Sequence, residues 1–195
     1  FMATQFELAY SDWVSGVGII AAGPYYCAQN SIQTALSQCV NQIKIPLDLG
    51  TLNAQAHKWN EQGKLPDLSN LKQHKVWLLS GTLDTKVLGQ VNDALFEQYQ
   101  QWVTPENIKY VQDKPFAHLF PTLNSGTKCD VSKTPFIGNC NYDAAGEMLN
   151  FISSELRPRS AQPQGKLLEI DQHLLGDEPA STLADTGYVY VPQAC

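Results

Sequence analysis

Two short, largely apolar stretches without alternation, Val14 to Ala21 and Lys75 to Leu79, restrict the fold of this chain more than anything else in it. A strand with one face in water alternates apolar and polar residues, whereas a strand covered on both faces is apolar throughout. Each stretch ends in turn residues, Gly23-Pro24 after the first and Ser80-Gly81-Thr82 after the second. Both are therefore predicted as buried parallel strands. Asn107 to Val111 reads as a third strand, and helical stretches lie between them: Ile32 to Val40, Thr51 to Gln62, and Val87 to Val103 with Val91, Leu95 and Tyr99 spaced four apart. Tyr142 to Leu156 closes the series as another helix. Strand and helix in alternation predict an α/β fold, a mostly parallel sheet with helices on both faces. In the tail, Leu167 to Ile170 and Gly187 to Val191 are strand-like pieces that either extend the sheet or form a small flap.

Phe1 to Tyr10 looks like a helix already under way at the first residue, so the 195 residues read as a single domain, 1–195, cut at its N-terminal end. Apolar residues make up 43% and charged residues 16%, a composition that folds around a core. The net charge is −6 and the 13 Lys and Arg are scattered, which argues against nucleic acid as a partner. No apolar stretch approaches the roughly 20 residues that span a bilayer, so no membrane partner is expected either.

Parallel sheets of this kind place their chemistry in the loops after the carboxyl ends of the strands. Two titratable residues stand there. Asp84 follows Gly81-Thr82-Leu83 directly after the second strand, and His118 lies in the loop after the third, flanked by Phe116, Phe120 and Pro121. A carboxylate and an imidazole on neighbouring strand ends can form the acid and base of a catalytic triad. Each also has a plainer role open to it: Asp84 as the cap of the helix that follows, His118 as a packed loop histidine. His57, His74 and His173 are more simply surface or capping residues. Acid before base is the α/β-hydrolase chain order of Ser, then Asp or Glu, then His, which requires a serine upstream. No G-x-S-x-G occurs in the chain. In that fold the helix after the nucleophile elbow leads into the next strand, so the missing serine is expected a few residues before Phe1.

At this point the chain resembles a known family. Phe1-Met2-Ala3, the segment from Ser15 through Gly23-Pro24-Tyr25-Tyr26-Cys27-Ala28-Gln29, Gly81-Thr82-Leu83-Asp84-Thr85-Lys86-Val87, Ala117-His118-Leu119-Phe120-Pro121-Thr122, Asn139-Cys140-Asn141-Tyr142-Asp143-Ala144-Ala145-Gly146 and the ending Gly187-Tyr188-Val189-Tyr190-Val191-Pro192 are similar to poly(3-hydroxybutyrate) depolymerases, in the family's order. The resemblance implies an α/β-hydrolase serine esterase acting on a polyester or oligoester through an acyl-enzyme, with Asp84 as acid, His118 as base, and no metal or organic cofactor. It implies that the nucleophile belongs to an absent N-terminal segment and that these residues alone are inert. Tyr25, Tyr26 and Phe120 are candidates to line an apolar cleft for the substrate; their alternative is the core. A feruloyl or acetylxylan esterase on the same scaffold, or a non-catalytic binding protein, are the competing readings.

Five cysteines occur without a C-x-x-C pair or a zinc-like spacing, so disulfides are the leading explanation and a secreted protein the consequence. Cys129 and Cys140 bracket a short loop containing Pro135 and Gly138 and are expected to pair. Cys27 and Cys39 are a second pair, provided the chain after Cys27 folds back, because twelve positions of straight helix span about 18 Å. Cys195 is left over, either free or paired outside the chain. Reduced buried thiols in a cytosolic protein are the alternative for all five.

Overall fold

The computed structural model describes residues 1–41, 46–153, 155–160, 162, 164–176 and 178–193. The chain divides into two compact units, Phe1–Leu156 and Arg157–Cys195.

The first unit is built on three parallel strands, β1 (Gly16–Ile20), β2 (Lys75–Gly81) and β3 (Ile108–Lys114), in the order β1-β2-β3. Around them lie α1 (Met2–Ala9), α2 (Ile32–Gln38), α3 (Leu49–Glu61), α4 (Gly89–Tyr99) and α5 (Ala144–Ile152). The central strand β2 is buried along nearly its whole length, as its apolar sequence requires. Alternate side chains go to opposite faces. Val76 and Leu78 join Leu8 of α1, Ala56 of α3 and Leu95 and Tyr99 of α4, whereas Trp77 and Leu79 join Val111, Phe116 and Ala144 of α5. The sheet is thus covered by helices on both sides, the α/β arrangement expected from the sequence. Gly18 makes one side possible: a Cβ there would lie 1.8 Å from the Met148 sulfur, so α5 can settle on β1 only against a glycine.

Helix boundaries differ from those read in the sequence for local reasons. Asp48 and Asp143 accept hydrogen bonds from the Thr51 and Gly146 amides and so fix the starts of α3 and α5. The helix expected over Val87 to Val103 is shortened to Gly89–Tyr99, with Leu88 extended before it and Thr104-Pro105 after it. Three strands too short to carry a period were not foreseen: β4 (Phe120–Thr122), β5 (Thr127–Lys128) and β6 (Ile137–Asn139) form a second parallel sheet in the order β4-β6-β5.

In the second unit β7 (Gly165–Asp171) and β8 (Thr186–Pro192) pair antiparallel, with Leu168 opposite Val189. These are the strand-like tail segments, and they pair with each other. Among the described residues no helix is long and apolar enough to cross a membrane.

His74 is no surface residue. It is 4% exposed, and its Nδ1 lies 3.0 Å from Oε1 of Glu7, which is fully buried. Its Nε2 lies 3.1 Å from the Ser11 carbonyl oxygen, and the Tyr99 hydroxyl donates to the second Glu7 oxygen. Burial first, and then the Glu7 carboxylate, hold the Tyr99 phenol well above its ordinary pKa. The network ties α1, the residue preceding β2, and α4 together, and a buried carboxylate robbed of a partner is costly. Replacing Glu7 by Ala is expected to lower the unfolding free energy by about 3–5 kcal/mol, and Tyr99→Phe by about 1–3 kcal/mol. Urea denaturation measures both, and a Glu7→Ala loss below about 1 kcal/mol would deny the network its role.

Candidate active site

The exits of β2 and β3 lie side by side because both strands are parallel neighbours. Their loops are sewn together by backbone: the Thr82 amide donates to the Lys114 carbonyl at 2.8 Å and the Leu83 amide to the Phe116 carbonyl at 3.1 Å. Gly81 permits this approach, since a Cβ there would stand 2.1 Å from the Phe116 carbonyl oxygen. The ladder also slips its register between Leu79 and Gly81, which turns the chain out of the sheet. Three residues beyond Gly81, Asp84 emerges with its side chain 2% exposed.

The two oxygens of Asp84 have different work. Oδ1 accepts from the amides of Lys86 at 2.8 Å and Val87 at 2.9 Å, which fixes the carboxylate and closes the turn before α4. Oδ2 accepts from His118 Nδ1 at 2.9 Å. The turn-capping bonds and the contact to the imidazole, alternatives in the sequence, coexist on one side chain. The cap serves the turn rather than the first residue of α4, which follows the uncapped Leu88.

His118 is 33% exposed in its side chain, open on one side and fixed on the others. The Ala117 amide before it donates to the Cys129 carbonyl at 2.9 Å, and Leu119 after it is buried against Gly138. The Phe136 ring meets the imidazole edge to face with centroids 6.1 Å apart, and the Phe136 carbonyl accepts from the Phe120 amide at 2.7 Å. With Nδ1–H donating its hydrogen bond to the Asp84 carboxylate, the neutral imidazole presents Nε2 with a lone pair, the tautomer a general base requires. Phe136 escaped the sequence reading; its place inside the Cys129 to Cys140 loop was the available signal.

Both expected disulfides are present, Cys27–Cys39 and Cys129–Cys140, with Cα atoms 6.0 and 4.9 Å apart. Cys195 lies outside the described residues. Of the three candidate cleft residues, Tyr25 is 6% exposed and belongs to the core, edge-on to Trp59. Tyr26, partly exposed, lines a cavity of about 500 Å³ beside the Cys27–Cys39 disulfide. Phe120 is 37% exposed at the start of β4. Asp84 and His118 are thus brought together, while the two tyrosines gather on Trp59. His57 and His173 are exposed. Among the described residues no three His, Cys, Asp or Glu side chains converge as a metal site.

Over its whole length the chain is 37% identical to a poly(3-hydroxybutyrate) depolymerase of Delftia acidovorans and 34% identical to a polyhydroxybutyrate depolymerase of Talaromyces funiculosus. It spans 40% of the first and 57% of the second, about half the length of these curated relatives. Two solved structures match all of the chain at 33% identity with a TM-score of 0.86: the PHB depolymerase of Penicillium funiculosum, and a serine-to-alanine variant of PHB depolymerase complexed with an R3HB trimer. The chain covers 60% of each. No family model matches it.

Gly81→Ala is expected to push the two loops apart and lengthen the Asp84–His118 hydrogen bond, at a cost of about 1–3 kcal/mol in stability. The proton on His118 Nδ1, visible by NMR when the bond is intact, should exchange away in the variant. Its survival with unchanged position would mean that the loops can part without disturbing the pair.

Proposed function

We propose that this chain, a relative of the poly(3-hydroxybutyrate) depolymerases along its whole length, supplies the acid and base of a serine esterase that hydrolyses poly- or oligo(3-hydroxybutyrate). The observation that carries the reading is the 2.9 Å contact from His118 Nδ1 to Asp84 Oδ2 at the carboxyl edge of a parallel sheet. No G-x-S-x-G occurs in the 195 residues, so the nucleophile of this reading belongs to residues outside them, and these residues alone are inactive.

His118 Nε2 removes the serine proton as the serine oxygen attacks the ester carbonyl, and the resulting imidazolium sits against the Asp84 carboxylate. Collapse of the tetrahedral intermediate breaks the bond to the leaving alcohol, which takes the proton from Nε2. Water then repeats the sequence on the acyl-enzyme: His118 takes its proton, the new acid leaves, and the proton returns to serine. Asp84 contributes by orientation and charge. Because its other oxygen is fixed by two amides, the carboxylate cannot swing away from the imidazole. Tyr26 and Phe120 are the candidate cleft residues that retain exposed surface, so in this reading they contact substrate while Tyr25 supports them from the core. Two disulfides in a chain of this size favour an oxidising, extracellular or periplasmic setting.

In the full-length protein His118→Ala should lower the rate of 3-hydroxybutyrate release by on the order of 10⁴-fold or more, since triad members act as a unit. Asp84→Asn should lower it by about 10⁴-fold with little change in KM, through the wrong imidazole tautomer. Initial rates on oligomer and on an acetylated sugar separate the polyester reading from a carbohydrate esterase. A His118→Ala enzyme that keeps a tenth of its activity would overturn the assignment.

A further inference from the structure

Phe136 is explained neither by the core nor by the backbone of its own loop. It is 43% exposed and joins none of the apolar clusters among the described residues. Yet it holds φ at 58°, in the left-handed region where a bulky side chain is a true outlier. Glycine adopts that conformation without cost, so a phenylalanine stands where the backbone alone favours no side chain at all. Residues in such regions persist only where their surroundings over-determine them, and they gather at functional sites. Here the surroundings are plain. The Phe136 amide donates to the Lys133 carbonyl at 2.7 Å, and the Phe136 carbonyl accepts from the Phe120 amide at 2.7 Å. Directly after it, Ile137 and Gly138 pair with Phe120 and Pro121, and the hydroxyls of Thr127 and Thr122 donate to their carbonyls at 3.3 and 3.1 Å.

The result is that one residue grips the His118 loop twice. Its carbonyl takes the amide two residues after His118, and its ring stands against the imidazole at an interplanar angle of 77°. The imidazole needs the second grip. The bond from Nδ1 to Asp84 Oδ2 fixes one corner of the ring, and a single hydrogen bond acts as a hinge about which the ring can rock, carrying Nε2 off its line while the bond survives. Displacements of about 1 Å at a reacting atom are enough to slow a reaction severely. An edge-to-face ring opposes the rocking, because aromatic pairs have a preferred geometry that burial alone lacks. The two holds are also independent of each other. Asp84 comes from the loop after β2, whereas Phe136 comes from inside the loop closed by Cys129–Cys140.

We infer that Phe136 is a positioning residue for the general base: its ring, delivered by the left-handed turn into β6, keeps the His118 imidazole in the plane in which Nδ1 meets Asp84 and Nε2 meets the reacting group. The role is exerted through His118 and needs no contact with substrate. That His118 is the base rests on the esterase reading; the hold of Phe136 on the imidazole rests on the geometry alone.

Phe136→Gly separates the ring from the backbone, since it removes the one and eases the other. In the full-length enzyme its melting temperature should hold or rise, while kcat on a 3-hydroxybutyrate oligomer falls about tenfold with KM within about twofold. Phe136→Tyr keeps the ring and should bring kcat back to within about twofold of the unaltered enzyme. If melting shows that Phe136→Gly does not fold, Phe136→Ala takes its place with the same expectation for kcat and KM. NMR supplies a readout independent of turnover: the His118 Nδ1 proton should exchange with water faster in Phe136→Gly and slow again in Phe136→Tyr. A rise in KM with kcat unchanged would make Phe136 a substrate contact and overturn the positioning role. Unchanged kcat together with unchanged Nδ1 exchange would overturn it as well, and in both cases the esterase reading stands. Faster Nδ1 exchange in Phe136→Gly, in a protein that with or without the substitution hydrolyses no 3-hydroxybutyrate ester, would sink the esterase reading and keep the hold of Phe136 on His118.

Discussion

The candidate site depends on one close approach: the Gly81 Cα against the Phe116 carbonyl oxygen, where any side chain would intrude to 2.1 Å. That approach lets the amides after β2 bond the carbonyls after β3, so that two loops separated by more than thirty residues in sequence behave as one piece of backbone. Asp84 and His118 are carried on that piece. Their hydrogen bond is then less an attraction that gathers the loops than a contact prepared by the loops, which is the condition for holding an imidazole in one tautomer. The division of labour within Asp84 follows from the same geometry. One oxygen terminates the turn and thereby aims the other.

The core below this edge is not purely apolar, and its polar members do a different job from its apolar ones. Leu, Val and Trp side chains on β2 drive the helices onto the sheet but would tolerate sliding, because burial has no direction. The network of Glu7, His74 and Tyr99, and the separate bonds of Asn92 and Gln98, do have direction. Each satisfies its hydrogen bonds in a single register of α1 and α4 against the sheet. Buried groups left unsatisfied cost more than they gain when paired, so the network penalises displaced arrangements more than it stabilises the native one.

The parts of this arrangement that were legible in the sequence were those written in consecutive residues. Val76 to Leu79 announce a strand covered on both faces, and an aspartate five residues past the end of that run announces a loop at the sheet's chemical edge. His118 is legible for the same reason. The strands β4, β5 and β6 are not, because elements of two or three residues are held by carbonyls such as those of Phe136 and Thr122, and side-chain patterns say nothing of them. His74 looked like a surface residue because its partner, Glu7, is 67 positions away and reads as an ordinary helix residue. Tyr25 and Tyr26 are neighbours with different fates, one in the core and one on a cavity, and the left-handed backbone at Tyr26 that separates them has no signature in its side chain. That same backbone, with Gln29 and Asn30, folds the chain back and brings Cys27 within reach of Cys39, the condition that spacing alone left open.

The two disulfides find their reason in the sheet's own topology. A parallel strand order leaves each exit loop without a hairpin partner, so the connection after β1 has no ladder bonds and the one after β3 has only the short parallel β4-β6-β5 ladder. Cys27–Cys39 closes the first of these loops and Cys129–Cys140 the second, over separations of 12 and 11 residues, each removing roughly 3 kcal/mol of unfolded-chain entropy in the simplest model. The middle loop, after β2, has no cysteine. It is held instead by the Asp84 carboxylate and by the amides it shares with its neighbour. Covalent bonds therefore fix the flanks while an ionisable group fixes the centre. The pin at the centre of that edge is a buried carboxylate whose second oxygen reaches the His118 imidazole, so the bonds that hold the loop also set where that imidazole stands.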